Sequence, residues 1–201
     1  MIFSASITLL EIYSMYQICV SAAAKGKTVE EAKEIARETG VILAEAGHTL
    51  MTGATVGLPN TAAMSYKKAN GHMSLGISPA SSKIEHVMKY RLPTEAYDAI
   101  LYSGLHYIGR DALLINSSDA VISIGGRIGT LHEFTIALES GTPIGFIQGS
   151  GGISTEIMDI LHAAGRHQGD DVVFGKTPQE VLDALVAILD KRNKKYSHLY
   201  K

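Results

Sequence analysis

A carboxylate, a guanidinium and a run of glycines set the chemistry open to this chain. Glu133 lies three residues after Thr130, in Ser123-Ile124-Gly125-Gly126-Arg127-Ile128-Gly129-Thr130-Leu131-His132-Glu133-Phe134. Glycines just ahead of a helix let bare backbone N–H groups and a helix N-terminus come up to a phosphate. Residues three apart share one side of a helical turn, so Thr130 and Glu133 face the same way. An acid in that place does not suit the simple holding of an anion, and it points to chemistry beside the phosphate. Arg110, in Tyr107-Ile108-Gly109-Arg110-Asp111-Ala112-Leu113-Leu114, has two readings. It is either a surface cation paired with Asp111, or an arginine facing the same cleft as Glu133 and suited to a phosphate or carboxylate.

Other chemistries lack their residues. The glycine run is neither a Walker A loop nor a G-x-G-x-x-G fingerprint, because no lysine follows its last glycine and the spacing fits neither. His132-Glu133 opens a two-histidine zinc motif that fails at Ile136. No G-x-S-x-G nucleophile and no identifiable pair of glycosidase acids appears. Cys19 is the single cysteine, which excludes an intrachain disulfide and a cysteine-based metal site and marks it as a core residue.

The elements that must position these groups alternate. Tyr16–Val20 is predicted as a first strand, with Ser21-Ala22-Ala23 after it as either a plain turn or room for a ligand. Thr28-Val29-Glu30-Glu31 has the form of a capping box opening a helix that ends at Gly47. His48–Thr52 is a strand. Gly53-Ala54-Thr55-Val56-Gly57-Leu58-Pro59 is a second glycine-bearing turn, followed by a helix over Asn60–Asn70 and a strand over Met73–Ile77. Ala80–Thr94 is polar and irregular, and its length suggests a loop over the site. Ala99–Tyr102 is a strand, Leu105–Ser117 a helix and Asp119–Ile122 the strand before the central glycines. Pro143–Ile147 is a strand, Ser154–Ala164 a helix, Asp171–Phe174 a strand, and Thr177-Pro178-Gln179-Glu180 a second capping box. Without repeat or linker, this pattern predicts one α/β domain over 1–201, a Rossmann-like, doubly wound parallel sheet with helices on both faces. Residues 1–14 read as an N-terminal extension, an extra strand or helix packed on the domain, and 191–201 as a basic, solvated tail. Ligands of such sheets sit beyond the carboxyl ends of the strands, where every glycine-bearing turn falls.

A chain of 201 residues, 46% hydrophobic and 19% charged, builds a sizeable core, and a net charge of -2 calls for no nucleic acid or anionic membrane. No apolar run reaches the length of a spanning helix, and the opening residues lack the basic region of a signal peptide. A cytoplasmic setting is the expectation.

The spacing from Arg110 to Gly125 and the run Gly-Arg-Ile-Gly-Thr-Leu-His-Glu that follows resemble the paired signature of the LONELY GUY (LOG) family, an arginine helix followed by P-G-G-x-G-T-x-x-E. These are nucleoside 5′-monophosphate phosphoribohydrolases, often mislabelled as lysine decarboxylases. The Gly53–Leu58 turn resembles their other loop, G-G-G-x-x-G-L-M. The likeness spans about Tyr16 to Ala164. It implies a homodimer without metal or cofactor that splits a nucleoside monophosphate into free base and ribose 5-phosphate. It implies Arg110 and Glu133 as the catalytic pair. It also implies that Gly126, Gly129 and Thr130 hold the 5′-phosphate; Gly125, Arg127 and Ile128 of the same turn, with Ser21, Gly53, Thr55 and Gly57 on the neighbouring turns, complete the candidate phosphate or nucleotide site. A carboxylate there would stabilise an oxocarbenium-like ribose while the phosphate positions the sugar. The departures are Gly125 for proline, Arg127 for the second glycine, Asp111 for a lysine, and a shortened other loop. They suggest a divergent branch of a superfamily that also contains nucleotide sensors, DNA-processing proteins and molybdenum-cofactor carriers. The alternative function is therefore non-catalytic binding of a nucleotide or other phosphorylated ligand.

Overall fold

The computed structural model describes residues 15–169 and 171–194. Seven strands form one parallel sheet: β1 (Gln17–Ala22), β2 (Thr49–Thr52), β3 (Ser74–Ser78), β4 (Ala99–Tyr102), β5 (Ala120–Ile124), β6 (Ile144–Ile147) and β7 (Val172–Gly175). Their spatial order is β4-β3-β2-β1-β5-β6-β7. The chain builds outward from β1 to one edge, returns to place β5 beside β1, and then builds the other way. The reversal lies between β1 and β5, where Ile18 to Ala22 run in register with Ala120 to Ile124. Connections leave in opposite directions there, so a crevice opens above the strand ends.

The helices cover both faces. Helices α1 (Lys27–Glu31), α2 (Lys33–Glu45), α3 (Leu58–Lys68) and α7 (Pro178–Lys194) lie on one side. Leu43, Ala62, Tyr66, Val181 and Leu185 pack there against Ile18, Val20, Leu50 and Ile122. Helices α4 (His106–Asn116), α5 (Ile128–Ser140) and α6 (Ile157–Ala163) cover the other side. Leu114, Phe134 and Leu161 pack there against Cys19, Met51, Val121 and Phe146. Strands buried on both faces read as continuous apolar runs, as β1 and β5 do. Cys19 is a buried free thiol in this second core.

Several boundaries differ from those predicted. The helix expected from Thr28 to Gly47 is two pieces with a break at Ala32, whose φ of −105° and ψ of 15° leave the helical region. Its N-cap is Gly26 and not Thr28, and no side chain caps it. Gly26 has φ +98°, so the chain turns into the helix two residues before the expected cap. At α7 the Glu180 N–H does donate to Thr177 Oγ1 at 3.2 Å, while the Glu180 carboxylate accepts from the Lys176 N–H, one residue earlier than a capping box requires. The predicted helix from Ser154 resolves into a 3₁₀ turn (Gly152–Thr155) and the short α6. Within the stretch 80–94, Glu85–Lys89 forms one π-helical turn. The expectations for 1–14 and for the tail beyond Lys194 lie outside the described residues. No helix among the described residues is long and apolar enough to cross a membrane.

Candidate functional site

A cleft of about 520 Å³ opens above the carboxyl ends of β1, β2 and β5. Val20 to Lys25 form one wall, Gly53, Thr55, Val56 and Pro59 a second, and Arg127, Gly129 and Thr130 a third. Tyr90, Arg91 and Leu92 line it from the stretch expected to lie over the site. That stretch is fixed by His86, a fully buried side chain that bonds Ser78 Oγ at 2.8 Å and the Pro93 carbonyl at 2.9 Å. Strand β3 thereby carries Tyr90–Leu92 to the cleft.

Arg110, Asp111, Glu133 and Ser21 stand together in the cleft, each at least nine-tenths buried. Ser21 Oγ, at the end of β1, donates to Glu133 Oε2. Arg110 Nη1 lies 3.7 Å from Glu133 Oε1, and Arg110 Nη2 lies 3.3 Å from Asp111 Oδ1. The far oxygen of Asp111 meets His132 Nδ1 at 2.9 Å. Arg110 is therefore not a surface cation: it is buried, it pairs with Asp111, and it faces Glu133. Among the described residues its Nε has no hydrogen-bond partner although that atom is buried. A guanidinium carries five donors in a fixed fork, and buried polar groups are nearly always satisfied. Gly53 makes room for it, since a Cβ at Gly53 would fall 1.7 Å from Arg110 Nη1.

Burial raises the Glu133 carboxyl to about 7, Arg110 opposes the rise, Asp111 adds to it, and the Ser21 bond and His132 counter it weakly. Burial also holds the Cys19 thiol well above its ordinary range, with the nearby Glu133 charge adding to the effect.

The sequence-predicted residues divide. Ser21, Gly53, Thr55, Arg127, Gly129 and Thr130 line the cleft with Arg110 and Glu133. Gly125 and Gly126 lie beneath it, locked to the loop after β6. The Gly125 N–H donates to Ser150 Oγ at 2.8 Å, and the Gly126 carbonyl accepts from the Ile153 N–H at 3.0 Å. Ile128, the first residue of α5, is 77% exposed and points away from the core. Gly57 has φ +80°, and a Cβ there would come within 2.5 Å of the Ala24 carbonyl. It lets the second turn close onto the first, where the Leu58 N–H donates to the Ala23 carbonyl at 2.9 Å.

Lys25, Tyr90, Arg91 and Tyr107 also line the cleft and were not singled out from sequence. Lys25 follows the small residues after β1 and carries no motif. Tyr90 and Arg91 lie in the irregular stretch, where periodicity gives no guidance. Tyr107 stands edge-on to Tyr90, with ring centroids 5.6 Å apart, and close to Arg110. Lys25, Arg91 and Arg127 are exposed, and none is paired with a carboxylate among the described residues. No group of three His, Cys, Asp or Glu among those residues could hold a metal ion.

A family model described as the SLOG cluster4 family matches residues 15–182. The chain belongs to the SLOG cluster4 family. An uncharacterised protein of Archaeoglobus fulgidus is 32% identical over 117 residues, covering 58% of this chain and 70% of that one. Among solved structures, the structural-genomics target TM1055 superposes with a TM-score of 0.73 at 23% identity, over 84% of this chain and 97% of that one. A molybdenum cofactor binding protein from Rippkaea orientalis gives 0.69 at 24%, over 87% and 98%. DNA processing protein A from Helicobacter pylori, described for its single-stranded DNA binding mode, gives 0.54 at 16%, over 86% and 81%. At these identities the shared property is the fold. This SLOG cluster4 member is thus a divergent LOG-like Rossmann protein, in which one departure, Asp111, is itself a buried charge and another, the shortened loop at Gly53, abuts Arg110.

Proposed function

We propose that this SLOG protein binds a small phosphorylated ligand of the nucleotide or cofactor class, as a carrier or sensor. The observation that carries the reading is the Arg110 guanidinium, buried in the cleft with an unpartnered Nε and no closer carboxylate than 3.3 Å. A phosphate or carboxylate of the ligand satisfies that fork. The exposed cations Lys25, Arg91 and Arg127 draw an anion inward. The start of α5, with no acidic residue in its first turn, receives it. Tyr90, Tyr107, Val56, Pro59 and Leu92 supply the apolar wall that a flat heterocycle wants. The similarity to a molybdenum cofactor binding protein supports a carrier role.

A second reading, hydrolysis of the N-glycosidic bond of a nucleoside monophosphate, is favoured by one observation: Glu133 and Arg110 face the same cleft 3.7 Å apart. In that reaction the Glu133 carboxyl would act on water or the leaving base while the phosphate is held at Gly129 and Thr130. We also propose a homo-oligomer. Ile84, Met88, Leu105 and Ile108 are exposed near the β4 edge, a face suited to a second copy, and sedimentation tests it.

One experiment separates binding from hydrolysis. The protein is titrated calorimetrically with nucleoside monophosphates, a pterin phosphate and a single-stranded oligonucleotide, and each mixture is assayed for free base. Saturable binding of a phosphorylated small molecule without base release supports the carrier. Base release that disappears in Glu133→Gln with binding kept supports the hydrolase. Binding of the oligonucleotide alone sinks both.

A further inference from the structure

The charges around Glu133 do not balance. The groups near it are, from β1, the buried Cys19 thiol and Ser21 hydroxyl; from α4, the buried Arg110 and Asp111; and from α5, the partly exposed His132. Lys25, Arg91 and Arg127 line the same cleft but are exposed to solvent, which weakens their pull. Two carboxylates thus share one buried cation. The guanidinium stands closer to Asp111, at 3.3 Å, than to Glu133, at 3.7 Å. Asp111 is held from its other oxygen by His132 at 2.9 Å, so its position is set on two sides. Glu133 has one donor on Oε2, from Ser21, and none in hydrogen-bond range of Oε1 among the described residues.

We infer that Asp111, seated by His132, takes the Arg110 guanidinium for itself, so that Glu133 is a neutral acid in the ligand-free site and donates a hydrogen bond from Oε1 to an anion that binds there. A carboxylic acid is a donor, whereas a carboxylate beside a phosphate repels it. Burial pushes the Glu133 carboxyl in the same direction. Above neutral pH the group is ionised in the empty protein, and an arriving phosphate returns a proton to it from solvent. Asp111 acts here through Arg110 and is a positioning residue. This inference rests on the anion-binding reading of the cleft, and its test keeps the two apart.

The infrared band of a protonated carboxyl, isolated as wild type minus Glu133→Gln, is followed against pH in the ligand-free protein. The expected midpoint is about 7, falling by at least about one pH unit in Asp111→Asn, because Arg110 is then released to Glu133. Adenosine 5′-monophosphate is next titrated calorimetrically in Tris and in HEPES, whose ionisation enthalpies differ. Wild type should take up close to one more proton per ligand than Glu133→Gln at pH 8, and almost none more at pH 6. A wild-type carboxyl already ionised at pH 6 overturns the inference. So does an unchanged midpoint in folded Asp111→Asn, or nucleotide binding with no extra proton. The expected titration without any nucleotide binding upholds the neutral acid and removes the nucleotide reading instead.

Discussion

Gly53–Leu58 and Gly125–Thr130 both carry the chain from a strand end into a helix, and both border the cleft. At Gly53 the missing Cβ is filled by another side chain, the Arg110 guanidinium, and at Gly57 by the backbone of Ala23 and Ala24. At Gly125 the space is taken by Thr28 and the Ser150 carbonyl, and at Gly126 by Thr130. Gly129, by contrast, has nothing within 4 Å of where a Cβ would be. Glycine therefore serves three purposes here: admitting a charged group, joining loops, and leaving open space in front of a helix. Only the last leaves backbone bare for a ligand to approach.

The comparison is broken most forcefully at the Gly53–Leu58 turn. Gly57→Ala must hold φ +80° with ψ −141°, a region essentially confined to glycine, at about 1–3 kcal/mol, and must push back two carbonyls, at about 1–3 kcal/mol more. A loss of roughly 3 kcal/mol in denaturant unfolding is expected. Gly53→Ala has an ordinary backbone, so its cost falls on the collision with Arg110. It should bind ligand at least about tenfold more weakly, the usual effect of losing a charge-assisted contact. If Gly57→Ala is as stable as wild type, the joining role of this turn is wrong.

Next comes Glu133→Gln, which tests whether α5 presents an acid, just after the Gly125–Thr130 turn, at a cost to the fold. The folded-state carboxyl is raised from 4.5 to about 7, chiefly by burial. The unfolded chain gives up this proton near its ordinary value, while the folded protein retains it until about 7. The stability that neutral Glu133 contributes is therefore complete below about pH 4.5 and is lost as pH rises to about 7. At one pKa unit per 1.36 kcal/mol, the loss is at most about 3 kcal/mol. Glu133→Gln should match wild type at pH 4 and be more stable at pH 8. Equal stability at both pH values would mean that the carboxylate is well compensated in the fold.

These cases show why the site was only partly legible in the sequence. Periodicity and glycine placement yield the alternating elements, the parallel sheet and the edge where the cleft opens, because each is a local pattern repeated along the chain. Arg110 and Glu133 could be paired because their helices are consecutive in the chain, α4 leading from β4 back to β5 and α5 leaving β5, although three strands separate β4 from β5 in the sheet. Gly125 and Gly126 are tied to Ser150 and Ile153, residues more than twenty positions away, and no local pattern discloses such a tie. Tyr90 and Arg91 reach the cleft through a π-helical turn and the buried His86, neither of which has a periodic signature. The break at Ala32 was hidden by a run of good helix formers.

A smaller effect is expected at the rim. Arg127 is exposed, and its guanidinium stands near Gly26 across the cleft mouth. Arg127→Ala should leave unfolding unchanged, because an exposed cation without a carboxylate partner adds little to the fold. It should weaken phosphate-ligand binding by about three- to tenfold at low salt and by less at high salt, as screening removes its long-range pull. A loss that is independent of salt would instead mean a direct contact through the fork. That result would move Arg127 from steering the ligand to holding it.

The smallest change is the most discriminating. Gly129 is the second residue of α5, lacks a left-handed φ, and lines the cleft. In a helix, alanine is favoured over glycine by about 0.5–1 kcal/mol, partly through the unfolded chain. With nothing to collide with, Gly129→Ala should be slightly more stable than wild type. The same methyl stands in the space that a phosphate needs to reach the N–H groups of this first turn. Binding should therefore fall while stability rises, a combination that misfolding cannot produce. If stability rises and binding of phosphorylated ligands is untouched, the anion does not approach the backbone here, and the Arg110 fork with its exposed cations must hold it alone.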